Sequence, residues 1–109
     1  MFTIDKYNQI GLTKADTATM LVSVFDLDEK QYEIKPTDTV TFTIRRDAES
    51  EIVLQLTADD RHFITILPEH TAHLEPDMYE YDVQLTTEDG YNYTIVPRNF
   101  FVLHEEITY

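Results

Sequence analysis

The chain has 109 residues, 42% of them hydrophobic, with six Phe, seven Tyr, no Trp and no Cys, and it carries 8 Lys and Arg against 21 Asp and Glu for a formal charge of −13. That length makes one domain over residues 1–109 the expected organisation, with a core that needs no covalent staple; the absence of Cys excludes disulfides, thiolate metal sites and a cysteine nucleophile. The acidity opposes binding to nucleic acid and to anionic membrane surfaces, since both demand a basic face.

Met1 leads directly into Phe2-Thr3-Ile4-Asp5, without the basic start and apolar stretch of a signal peptide, so the protein is expected to be made and kept in a cytoplasm. Residues 3–12 hold a first edge segment, and Lys14-Ala15-Asp16-Thr17 is a polar turn. The run Met20-Leu21-Val22-Ser23-Val24-Phe25 is almost continuously apolar, which predicts a central strand over 19–26 covered on both sides. A charged turn at 26–30, a short strand at 31–34 and a turn at Lys35-Pro36-Thr37-Asp38 follow. Residues 39–45 alternate cleanly, with Val40, Phe42 and Ile44 inward and Thr39, Thr41, Thr43 and Arg45 outward.

Two further strands are expected at 52–56 and 62–67, joined through a turn at 58–61. Pro68-Glu69-His70-Thr71-Ala72-His73-Leu74 reads as one short helical turn, with Pro in its first turn. Glu75-Pro76-Asp77 stops it. The rest is a β-hairpin whose register follows from the letters. A two-residue Asp89-Gly90 loop would oppose Leu85 to Thr94 and mix faces. A three-residue loop, Glu88 to Gly90, pairs Leu85 with Tyr93 and Val83 with Ile95, and places Gly90 where a left-handed backbone is required. Pro97 cannot donate to a ladder, so a bulge is expected at 97–99. The fold class is therefore all-β: a two-sheet antiparallel, immunoglobulin-like sandwich of seven or eight short strands with one helical turn. Its expected core contains Val22, Val24, Val40, Phe42, Ile44, Leu54, Ile66, Val83 and Ile95.

Few residues offer chemistry. Two glycines, Gly11 and Gly90, are too few for a phosphate loop or a dinucleotide fingerprint. Ser23 and Ser50 lack a nucleophile-elbow context, and Ser23 is expected to be a buried hydroxyl bonded to backbone. His70 and His73, three apart, could form part of a metal site with Glu69 or Glu75, but they lack a defined third ligand; His62 and His104 have no discernible partner. Asp26-Leu27-Asp28-Glu29 has the spacing of an oxygen-rich turn without the Gly and distal Glu of a calcium loop. No catalytic residue, cofactor or metal site is expected, and the chain is read as a non-enzyme. Tyr79, Tyr81, Tyr91 and Tyr93 would stack across the closing hairpin. They form either the core face of the sandwich or an exposed strip for sugar rings or a peptide.

Ile64-Thr65-Ile66-Leu67-Pro68-Glu69, Thr71, Leu74, Met78-Tyr79-Glu80-Tyr81-Asp82-Val83-Gln84-Leu85 and Gly90 make up a pattern that resembles small β-sandwich structural proteins of phages and prophages, mostly from Gram-positive hosts. Lys14-Ala15-Asp16-Thr17 and Thr37-Asp38-Thr39-Val40-Thr41-Phe42 extend the likeness to most of the chain. The N-terminal domain of upper-baseplate proteins is the nearest named relative. Family members often have Asp in place of His70 and Gly in place of Asp77, both turn positions. The resemblance implies a virion structural or assembly module of a tail, baseplate or accessory part, assembled in the host cytoplasm. Its partners would be other virion proteins and further copies of itself. Phe2, Ile4, Ile107 and Tyr109, near the chain ends, are the candidate contact residues. The alternative is a carbohydrate- or peptide-binding module that uses the four tyrosines.

Overall fold

Period-two alternation and well-placed turn residues divide the chain into strands; the computed structural model describes residues 2–4, 8–25, 30–47 and 51–105. Ten strands and one helix appear among them: β1 (Phe2–Ile4), β2 (Ile10–Thr13), β3 (Ala18–Leu21), β4 (Val24–Phe25), β5 (Gln31–Tyr32), β6 (Thr39–Arg45), β7 (Ile52–Thr57), β8 (Phe63–Ile66), α1 (Pro68–Thr71), β9 (Asp77–Thr86) and β10 (Asn92–His104). Six of them form one sheet in the order β1-β2-β10-β9-β6-β7. Over its inner face lies the pair β3-β8, and β4-β5 forms a separate two-stranded ribbon. The molecule is thus mostly β, as expected, but its layers are unequal.

One pairing departs from the antiparallel expectation. β2 runs parallel to β10, with Ile10 opposite Phe101 and Leu12 opposite Leu103. Nearly the whole chain separates the two strands, so no tight turn constrains their relative direction. Both present apolar residues inward, and Ile10, Leu12, Phe101 and Leu103 are all buried.

The core lies between the large sheet and β3-β8. Val40, Phe42 and Ile44 from β6 oppose Leu85, Val83 and Tyr81 from β9 on one face, and Ala18, Met20, Ile64 and Ile66 meet them from the second layer. Phe42 packs its ring 5.2 Å from Tyr81 and 6.3 Å from Phe101, in tilted and edge-on arrangements that favour aromatic pairs. Of the expected core, Val40, Phe42, Ile44, Ile66 and Val83 are buried, while Val22, Leu54 and Ile95 pack against it partly buried. Val24 is half-buried.

The continuous strand expected over 19–26 is broken. β3 ends at Leu21, Val22 donates its N–H to the His62 carbonyl, and β4 restarts at Val24. Leu21 and Phe25 are each 61% exposed. Ser23 falls at the break and is exposed rather than buried.

The closing hairpin keeps the loop read from its residues. Leu85 pairs with Tyr93, the Gly90 N–H reaches the Thr87 carbonyl, and Gly90 has φ +87°. Beyond Thr94 the register shifts, so Val83 opposes Val96 and not Ile95; a second shift between Val96 and Asn99 brackets Pro97. Each bulge inserts a residue without a partner and bends the strand.

The same loop geometry recurs before β8. Asp59 and Phe63 close it, the His62 N–H reaches the Asp59 carbonyl, and His62 stands at φ +70°. Here the two flanking strands diverge into different layers.

Two contacts fix the crossing back to the large sheet. Thr71 is fully buried and accepts the Ala15 N–H at 2.9 Å, which ties α1 to the β2–β3 turn. The buried Tyr79 hydroxyl donates to the Glu75 carbonyl at 2.6 Å, and burial pushes that hydroxyl's pKa up. Arg46 lies over the Tyr79 ring, 5.8 Å from its centroid.

Candidate functional site

A six-stranded sheet is about 24–30 Å wide at ordinary strand spacing, and a two-stranded layer cannot cover it. Beside that layer, over sheet residues that are themselves mostly buried, lies a groove of about 970 Å³. Its floor is the upper half of the large sheet, with Phe42, Tyr81, Val83, Leu85 and Tyr93. One wall is the β3–β4 stretch from Met20 to Phe25, and Ile4, Asn8 and Ile10 close one end.

No described residue lining this groove carries a charge, although 27% of the chain is Asp, Glu, Lys or Arg. Its polar groups are confined to the side chains of Asn8, Ser23, Thr87 and Thr94 and the hydroxyls of tyrosines. The Tyr81 hydroxyl is already committed, donating to the Asn8 carbonyl. Asn8 has φ +65°, so this bond anchors a left-handed backbone position at the groove's end. The rim is open to water: Leu21 and Phe25 are 61% exposed and Tyr93 55%.

The tyrosines expected as one strip are divided. Tyr79 and Tyr81 are buried at 0% and 4% exposure, whereas Tyr91 and Tyr93 are 64% and 55% exposed. Tyr93 shares its face with the buried Leu85, yet the hairpin tip carries it past the reach of the second layer. Of the four, Tyr81 and Tyr93 line the groove.

Phe2 and Ile4 lie on the edge strand β1, opposite Leu12 and Ile10. Phe2 packs against the core and Ile4 is 47% exposed. Ile107 and Tyr109 lie outside the described residues, as do Asp26, Asp28, Glu29 and Ser50.

The histidines hold no site together. The His70 Nδ1 accepts the Leu67 N–H at 2.9 Å, capping α1, and His73 is exposed. Among the described residues no three His, Asp or Glu side chains gather as metal ligands, and no helix is long and apolar enough to cross a membrane.

On the outer face of the large sheet Arg45 lies 3.8 Å from Asp82 and Arg98 3.6 Å from Glu80, and beside the Tyr79 ring Arg46 stands 3.7 Å from Asp77. The basic doublet is thereby engaged by the protein's own carboxylates, in partly exposed pairs that each contribute roughly 0–1 kcal/mol.

The groove escaped the sequence reading. Its only trace there was the nearly unbroken apolar run 20–25, which fits a doubly covered strand as well as it fits a groove wall. No protein-family model matches the chain, and no curated protein is significantly similar to it.

Proposed function

We propose that this chain is a non-enzymatic assembly module that works through protein–protein contacts as part of a phage or prophage virion. The observation that carries the assembly reading is the groove: its described lining residues are uncharged and its rim exposes Leu21, Phe25 and Tyr93 to water, on a protein of charge −13. Exposed apolar areas of this kind mark interaction sites more often than they are tolerated without purpose. Among the described residues β1 and β7 each pair on one side only, which leaves sheet edges suited to a neighbouring strand. The virion setting rests on the resemblance in strand pattern and turn residues described above.

The fold we propose is an immunoglobulin-like sandwich. The Tyr79 hydroxyl bonded four residues upstream, where the chain crosses between layers, matches the tyrosine corner of such domains and supports the assignment. The parallel placement of the first and last long-range partners, β2 and β10, is compatible with it.

The test is size-exclusion chromatography with light scattering at several protein concentrations, followed by capture of proteins encoded beside this one. The expected result is self-association or capture of a virion component, weakened by Ile4→Asp. Carbohydrate or peptide binding draws support only from the exposed Tyr91 and Tyr93. A strict monomer that captures no neighbour and retains a glycan on an array would overturn the assembly reading in its favour.

A further inference from the structure

We infer that the groove receives one extended strand of a partner chain, which pairs with the free edge of β3 and covers the exposed apolar side chains of the groove's rim. This rests on the assembly reading and specifies how the module engages its partner.

The topology leaves a strand position open. β3 bonds β8 on one side and no described strand on the other. β8 follows β7 through the short loop at Asp59 to Phe63, which places β8 toward the β7 side of the large sheet. The free edge of β3 therefore faces the β1-β2-β10 side, where the groove opens and Ile4 and Ile10 contribute to it. A strand laid there would satisfy backbone groups of β3 and cover the exposed Leu21 and Tyr93 in one step.

Shape and charge select this occupant over a small molecule. A volume of about 970 Å³ lies at the top of the range for enclosed ligand pockets, roughly 300–1,000 Å³, and such pockets bury most of their ligand. This rim instead stays open, with Leu21, Phe25 and Tyr93 more than half exposed. An elongated segment suits a groove with so open a rim. The described lining residues carry no charge to pair with a charged residue at inward positions, while the net charge of −13 favours Lys or Arg flanking the inserted segment.

The probe is a peptide, Lys-Val-Thr-Val-Thr-Val-Lys, titrated by calorimetry, with a control carrying Pro in place of its central Val and sodium laurate as an apolar small molecule. Amide hydrogen exchange across residues 18–21 is read in parallel. The peptide is expected to bind and to protect those amides. The Pro control and the variant Leu21→Lys are each expected to weaken binding about tenfold or more, since each leaves an unpaired or charged group in the groove. Leu21 is exposed, so the variant should keep the wild-type melting temperature.

Absence of peptide binding, binding without protection of residues 18–21, or binding of laurate alone would overturn the inference. Undiminished capture of a virion neighbour by Leu21→Lys would also overturn it while leaving the assembly reading intact. Failure of the wild-type protein to capture any neighbour strikes the assembly reading itself, and the peptide titration then judges the groove separately.

Discussion

The two glycines of this chain are required for opposite reasons, and a pair of alanine substitutions separates them. At Gly90 the backbone has φ +87°, and a Cβ placed there would meet nothing within 4 Å. Gly90→Ala therefore carries no steric term. Its whole effect is the left-handed penalty of an L-residue, about 1–2 kcal/mol. At this chain length each kcal/mol corresponds to roughly 4–8 °C in melting temperature. Gly90→Asn should cost less, since its short polar side chain tolerates that region.

Gly11 lies outside the left-handed region, but an added Cβ would stand 2.8 Å from Thr3 Oγ1 and 3.4 Å from His104 Nε2. Gly11→Ala should thus act by pushing β1 away from β2, with an overpacking cost on the order of 1–3 kcal/mol. Thr3→Ala removes the blocking atom, so it should relieve Gly11→Ala and leave Gly90→Ala unchanged. Urea unfolding at constant m-value supplies the double-mutant cycle; the expected coupling for Thr3 with Gly11 is about 0.5 kcal/mol or more, and near zero with Gly90. The mirror experiment is His62→Gly, which should stabilise by up to about 1 kcal/mol by relieving the same backbone conformation in the second loop. If Gly90→Ala costs no more than Asp89→Ala, the loop assignment is wrong. If Gly11→Ala and Thr3→Ala are additive, the steric account fails.

Phe42 is 1% exposed and touches two aromatic rings, so Phe42→Ala should lower unfolding free energy by about 3–5 kcal/mol in denaturant titration; a loss under about 1 kcal/mol would contradict its central place. Tyr79→Phe deletes only the bond to the Glu75 carbonyl and should cost roughly 0.5–1.5 kcal/mol without altering the far-ultraviolet circular dichroism spectrum. Asp59 accepts the Phe63 and Arg61 N–H groups, and the Phe63 bond above all holds its carboxyl below the usual carboxylate range. Because the folded pKa is the lower one, its contribution is complete above the unfolded pKa, about 4, and disappears as pH falls through the folded value. Asp59→Asn should flatten the decline in melting temperature over that acid window; an unchanged slope would show that the loop bonds are not maintained in solution.

Short-range patterns made part of this molecule legible before any coordinates. The three-residue loop, the Leu85–Tyr93 pairing and the left-handed Gly90 follow from alternation and turn chemistry within fifteen residues, and so does the inward row Val40, Phe42 and Ile44. The bulge around Pro97 follows from a missing N–H. Beyond that reach the letters are ambiguous. A second bulge at Ile95 moved Val83 opposite Val96 because strand curvature answers to packing along the whole ladder. Tyr79 and Tyr81 were buried and Tyr91 and Tyr93 exposed although all four lie in one alternating hairpin, since burial depends on where the second layer ends. The run 20–25 could not reveal that it walls a groove, because an apolar strand looks the same whether both its faces are covered or one of them awaits a cover. How many strands each layer holds, and hence where the groove lies, is set by long-range pairings such as β2 with β10, and only the assembled tertiary structure contains them.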